Sequence, residues 1–313
     1  MNSVGTKKAG IAVWVVLALV AVSAIAFTSG YYLGKINAEQ SVGVTVIDDY
    51  GRTIELKGTP ARIVSTAPTP TEILFAVGAG DHVVGVDDYS DYPAEVANLT
   101  KVGTVELNVE VILSLKPDLI VSSDLVPLAQ LNQLEQRGIP YVILAARTID
   151  DVFRDIKIVG VITDHILEAN DLVAQLQSRV DAIKEKTLAD GVSKPKVYLE
   201  FYPMWTYGPG SFGDDLIKLA GGTNIAGTTS EKYVPITDEF VIAQNPDMIV
   251  YTVGLNYDGT TPDTIAARPG WSGISAVAGS KMYPIDDNLV SRYGPRIVDA
   301  LEQLAEIIHP ELF

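Results

Sequence analysis

Two spacings of apolar residues alternate along this chain. Short runs at Ile63-Val-Ser-Thr66, Val83-Val-Gly-Val86, Tyr141-Val-Ile-Leu144, Val197-Tyr-Leu-Glu200 and Met282-Tyr-Pro-Ile285 read as strands. Between them lie segments whose apolar residues return every three or four positions: Thr71–Val77, Leu128–Arg137, Asp215–Ala220 and Pro295–Ile308. Strands alternating with helices predict parallel sheets covered on both faces, an α/β fold. Ahead of these, Val44-Thr-Val-Ile47 and Thr53-Ile-Glu-Leu56 alternate about Asp48-Asp-Tyr-Gly51 and predict a small hairpin. Glycines end two of the helices, at Gly78-Ala-Gly80 and Gly221-Gly222, because glycine takes the left-handed cap conformation without strain.

One stretch occurs twice. Asn108-Val-Glu-Val-Ile-Leu-Ser-Leu-Lys-Pro-Asp-Leu-Ile-Val121 returns as Thr237-Asp-Glu-Phe-Val-Ile-Ala-Gln-Asn-Pro-Asp-Met-Ile-Val250, with Glu110 and Glu239 129 residues apart. Each copy reads as cap, first-turn Glu, short helix, Pro-Asp and strand, so two similar α/β lobes are expected. Between them, apolar residues from Val152 through Ile162, Ile166 and Val173 to Ile183 keep helical spacing throughout. One unbroken helix there would span roughly 60 Å at ~1.5 Å per residue. It would join the lobes and allow only small closure motions. The expected organisation is an N-terminal lobe at 44–149, the interlobe helix at 150–190 and a C-terminal lobe at 191–313.

The N-terminus supplies an address. No charge occurs from Ala9 to Gly34, with Lys7-Lys8 before the run and Lys35 after it. The apolar centre, Ile11–Phe27, is near the lower length for a bilayer span. The leading lysines place residues 1–8 in the cytoplasm, 9–34 across the membrane, 35–43 as a linker and the rest outside. A cleaved signal peptide is the alternative, since Ala24-Ile-Ala26 fits a small-x-small cleavage site. Either way the folded part is extracytoplasmic, at the cell surface.

Composition then removes whole classes of chemistry. The chain of 313 residues has no Cys, which excludes disulfides, thiolate metal sites, Cys nucleophiles and lipid attachment through Cys. Its three His (His82, His165, His309) are far apart and in no ligand spacing, so no metal site and no cofactor are expected. Beyond residue 35, 20 basic residues face 39 acidic ones, a surface that repels phosphate backbones and excludes nucleic acid. No nucleophile elbow, phosphate loop, His-Glu-x-x-His or dinucleotide glycine fingerprint occurs, so no catalytic residue is assigned and the chain is not expected to be an enzyme.

Thr71-Glu-Ile-Leu-Phe-Ala-Val-Gly-Ala-Gly80, Val84-Gly-Val-Asp-Asp-Tyr-Ser-Asp-Tyr-Pro93, the Lys-Pro-Asp-Leu-Ile-Val strand and Gly294-Pro-Arg-Ile297 together resemble a family. The chain is similar, over about residues 60–305, to class III substrate-binding proteins of ABC importers, which handle cobalamin, ferric siderophores and haem. The resemblance implies two Rossmann-like lobes with a central cleft, joined by one long helix, acting as a monomer. It also implies that Glu110 and Glu239 dock on a permease dimer. Tyr-Ser-Asp-Tyr-Pro is closest to the cobalamin-binding members. By that resemblance Tyr89 would pack against a corrin ring, and Tyr233 would stand where those proteins place a Trp. Arg292 would be a polar contact held by Asp286 or Asp287, and Phe201–Tyr207 would face the cleft. Thr104 departs from the pattern, falling where a cleft Trp is expected.

Plain structural roles compete with each assignment. Glu110 and Glu239 alone would be first-turn acids offsetting helix dipoles, each contributing about 0.3–1 kcal/mol; their duplication favours docking. Tyr92 is read as packing under its loop with Pro93, and at least one of Trp205 and Tyr207 as touching ligand. His82 is read as a surface His, and His165 and His309 receive no function. The expected activity is capture of cobalamin or another corrinoid for an ABC importer. The alternative ligands are a ferric siderophore or other iron chelate such as haem, and the remaining alternative is a ligand-sensing receptor domain.

Overall fold

The structure, a computed structural model, describes residues 43–254 and 259–313. The expected membrane segment therefore lies outside the described residues, and among those residues no helix is long and apolar enough to cross a membrane. The expected hairpin forms from β1 (Val44–Ile47) and β2 (Thr53–Leu56). Asp48 shapes its turn by accepting the N–H groups of Tyr50 and Arg52 and the Arg52 guanidinium.

The N-terminal half then alternates as the apolar spacing requires: β3 (Ile63–Ser65), α1 (Pro68–Ala76), β4 (Val83–Val86), β5 (Thr100–Lys101), α2 (Val109–Leu115), β6 (Leu119–Ser123), α3 (Leu128–Glu135) and β7 (Tyr141–Leu144). Its five strands are parallel in the order β5-β4-β3-β6-β7. The chain builds outward from β3 to one edge, then returns to build outward from β6. The strand order thus reverses between β3 and β6, where open α/β sheets bind ligands.

The helical region after β7 differs from expectation. Instead of one long rod there are two helices packed together, α4 (Ile149–Thr163) and α5 (Ile166–Thr187). Asp164 ends α4 in the left-handed conformation, φ 60°. At Gly160 a methyl group would stand 2.4 Å from the Ala169 Cβ, so glycine is what lets the two helices approach here. Helix α4 packs against α1, whereas α5 packs against helices of the C-terminal half.

That half follows with β8 (Lys196–Tyr202), β9 (Trp205–Tyr207), α6 (Phe212–Leu219), β10 (Thr223–Asn224), β11 (Tyr233–Pro235), α7 (Asp238–Gln244), β12 (Met248–Val253), α8 (Pro262–Ala266), α9 (Ser275–Ala278), β13 (Met282–Asp286), α10 (Asp287–Val290) and α11 (Ile297–Ile308). The sheet order is β11-β9-β8-β12-β13, with β10 also on β8; β9 and β11 run antiparallel to their neighbours and the others are parallel. Helix α8 is followed by a 3-10 turn at Trp271–Gly273.

The repeat is structural as well as sequential. Helices α2 and α7 have the same length, are capped by the Asn108 and Thr237 side chains, and end at left-handed Lys116 and Asn245. Residues 108–121 and 237–250 match in burial class position by position. Their Pro-Asp pairs serve the scaffold. Asp118 accepts the N–H groups of Ala61 and Arg62 before and at the foot of β3, and Asp247 accepts that of Lys196 at the foot of β8. The Arg62 and Lys196 side chains then reach back to the last-turn carbonyls of Leu115 and Gln244. Each unit is tied in this way to the first strand of its own sheet.

Candidate functional site

All five strands of the N-terminal sheet send their carboxyl ends toward one cavity of about 410 Å³. Thr66–Thr69 follow β3, Tyr89 follows β4, Thr104 and Val105 follow β5, Ser123–Val126 lie at and beyond the end of β6, and Leu144–Ala146 lie at and beyond β7. The facing wall comes from the other half: Tyr233 at the start of β11, and Ser291, Arg292 and Tyr293 between α10 and α11. Parallel strands oblige this arrangement, because their connecting loops emerge at one end.

The loop carrying Tyr89 is built from the inside. Asp87, fully buried at the end of β4, accepts the Tyr89 N–H and the Ser90 hydroxyl. The Ser90 and Thr71 hydroxyls share a hydrogen bond, and Thr71 donates to Ser65. Lys101 donates to the carbonyls of Asp87 and Ser90. Burial pushes the Asp87 carboxyl above its usual range, against the Ser90 and Tyr89 hydrogen bonds. With its backbone held, the Tyr89 ring remains 57% exposed at the cavity wall, and the Tyr233 ring 45% exposed on the opposite side.

Arg292 does not pair with Asp286 or Asp287. Its guanidinium donates to Asp91 at 2.5 Å and to Glu72 at 3.4 Å, both on the N-terminal half. Arg296 grips the same buried Glu72 carboxylate with Nε and Nη2, and lies 4.1 Å over the Tyr92 ring. The Arg292 hydrogen bond holds the Asp91 carboxyl below its usual range. Tyr293 adds a backbone bond to the Thr69 hydroxyl, stacks on Phe212 at 4.5 Å and meets the Tyr233 hydroxyl at 3.1 Å. Two carboxylates and two guanidiniums thus form a neutral latch between the halves at the cavity edge.

The other expected contacts lie elsewhere. Asp286 caps α10 through Asn288, and Asp287 accepts the Ser291 hydroxyl, its carboxyl raised by burial. Tyr207 is buried against Phe201, 4.6 Å away, in space kept by Gly213, where a methyl group would stand 2.3 Å from the ring. It supports Tyr233 from behind at 6.1 Å. Trp205 pairs across β9–β11 with Pro235 and is not part of the cavity wall. Glu110 and Glu239 sit exposed in the first turns of α2 and α7, and among the described residues neither is in an ion pair. The Glu239 carboxyl is lowered by its own backbone N–H and then by the Thr237 hydroxyl. Glu72, Tyr293 and the loop after β6 were not singled out from sequence. The strand order at the β3–β6 reversal identifies that loop, but only once the sheet is known.

Among the described residues no group of three or more His, Asp or Glu side chains is placed to hold a metal ion. A sequence profile of the periplasmic binding protein family matches residues 63–289. YvrC, an ABC transporter substrate-binding lipoprotein of Bacillus subtilis (strain 168), is 33% identical over 316 residues, covering 98% of this chain and 99% of that protein. A cobalamin-binding protein of Halobacterium salinarum (strain ATCC 29341 / DSM 671 / R1) is 28% identical over 276 residues, covering 86% of this chain and 75% of that one. Among solved structures, the periplasmic heme-binding protein RhuT of Roseiflexus sp. RS-1 is similar at a TM-score of 0.72 and 28% identity, covering 82% of this chain and all of that one.

Proposed function

The chain belongs to the periplasmic binding protein family, and on that premise we propose that it captures a corrinoid of the cobalamin type outside the cytoplasm and delivers it to an ABC importer. The observation that carries this reading is the cavity at the strand-order reversal, walled by the Tyr89 and Tyr233 rings from opposite halves. Exposed rings favour a large flat ligand, which they hold through apolar area and stacking. The cation on the wall, Arg292, is already neutralised by Asp91 and Glu72, which favours a ligand with little net charge. The cobalamin-binding relative supports the same choice.

Haem or a ferric siderophore is the second reading. It draws on the structural likeness to a heme-binding protein and on Arg292, which a ligand acid could take from the exposed Asp91. In either case the protein acts as a monomeric binder without catalysis, held at the membrane by Ala9–Gly34. Its Glu110 and Glu239 meet the two permease subunits, because arginine–carboxylate pairs orient a partner as well as attract it.

Calorimetric titration of the purified chain with cyanocobalamin, haemin and a ferric hydroxamate separates the readings. Micromolar or tighter binding of cyanocobalamin is expected. Its failure to bind beside a binding iron chelate overturns the first reading in favour of the second.

A further inference from the structure

The copies of the repeat have diverged, and what they keep on the outside is informative. Of the six exposed positions between 108 and 118, three serve the chain itself in both copies. Asn108 and Thr237 cap their helices, Lys116 and Asn245 adopt the left-handed end, and Asp118 and Asp247 tie the unit to its sheet. Ser114 and Ala243 are merely small. Two positions keep their chemical type although, among the described residues, neither acid is in an ion pair and neither aliphatic residue is buried, Glu110 with Glu239 and Leu113 with Ile242.

Leu113 is 37% exposed and Ile242 39%, each three residues after its Glu and so on the same helix face. A single exposed aliphatic residue needs no explanation. Two at matched places, each three residues after an exposed first-turn carboxylate, do.

We propose that each docking point is a pair, Glu110 with Leu113 and Glu239 with Ile242, fitting a partner that presents twice a cation beside an apolar surface. The inference rests on the docking reading of the two Glu and adds to it the contact that supplies affinity. In interfaces the charged group steers and orients, while desolvated apolar side chains hold the complex together. Small Ser114 and Ala243 next to each aliphatic residue leave room for that approach. Two equivalent points match the two equivalent subunits of a permease dimer. The acidic body, with 39 acidic residues in all, suits a cationic partner surface.

The test measures docking of the full chain to its importer, reconstituted in lipid nanodiscs, by biolayer interferometry. Leu113→Asn and Ile242→Asn are each expected to weaken docking about tenfold, and together about a hundredfold. Leu167→Asn, at a residue 75% exposed on α5, is expected to change nothing. Melting temperatures equal to the native protein's show that the variants fold. Glu110→Gln with Glu239→Gln is run in parallel. If that double variant fails to dock while the Leu113 and Ile242 variants dock like the native chain, the paired-anchor inference falls alone. If it docks normally, the docking face itself is wrong and the inference falls with it.

Discussion

Asp155 is costly to bury, and replacing it should stabilise the protein. It is fully buried on α4, and neither carboxylate oxygen has a hydrogen-bond donor among the described residues. Arg154 is 4.0 Å away and already engaged with Asp49 and Asp151. Burial, and next the Asp49 charge, push the Asp155 carboxyl from 3.8 up to about 9, so it carries a proton at neutral pH and shares it with Asp49. Asp49 in turn accepts the N–H of Ala145, a residue of the cavity wall, so this acid pair ties the hairpin to that wall.

The sign follows from proton counting. Between about pH 4 and 9 the folded state holds one proton more than the unfolded state, so stability falls as pH rises. Each pH unit costs about 1.4 kcal/mol, or up to about 4 kcal/mol from pH 5 to 8. Asp155→Asn keeps the shape and supplies an N–H to Asp49 at every pH. Urea unfolding of both proteins at pH 5, 6, 7 and 8 should show the variant's advantage growing by up to that amount. For the body Thr45–Phe313, about 2.1 cal/mol/K per residue makes this a shift of ~7 °C in melting temperature. A difference between the two proteins that stays constant from pH 5 to 8 would refute a protonated Asp155.

Three further outcomes follow from the site. Tyr89→Ala and Tyr233→Ala should each weaken cyanocobalamin binding about tenfold by calorimetry, Tyr89→Ala without lowering stability because that residue is largely exposed. Glu72→Gln leaves Arg296 and Arg292 without their shared buried carboxylate and should cost about 3–5 kcal/mol in urea unfolding. Thr104→Trp, on the wall shared with Tyr89, should tighten cyanocobalamin binding roughly tenfold by adding ring area, and a weaker titration would count against a flat ligand there.

How far these features can be read from sequence depends on how local their causes are. Glycine caps were legible because their cause is one residue: Gly78 and Gly221 end α1 and α6 with φ of 90° and 82°, through matching backbone bonds. The break at Asp164 was not. Ile162 and Ile166 are four apart, so the apolar spacing runs straight through the turn. The close approach of Gly160 to Ala169 accompanies the turn from one helix into the next. Tyr89 was legible from its place after a strand, whereas the Glu72–Arg296 contact spans 224 residues and leaves no local trace. The partner of Arg292 leaves no local trace for the same reason, since Asp286 and Asp287 are its neighbours in the chain and Asp91 comes from the other half.

The repeat reaches further than its sequence similarity does. Thr104 and Tyr233 are also 129 residues apart, and both line the cavity although their chemistry differs. Leu107 and Ile236, equally buried, follow each of them and lead into α2 and α7. In each half, then, a cavity-wall residue and an exposed Glu lie six positions apart on one short segment. The N-terminal segment is held by Gln130, which bonds both the Leu107 N–H and the Val105 carbonyl, and the C-terminal one by pairing of β11 with β9. On the proposed reading, a ligand wedged between residues 104 and 233 would bear on the same segments that carry the two carboxylates. On that reading, diverging wall residues beside retained carboxylates would suit a ligand with two different faces and a partner with two equal ones.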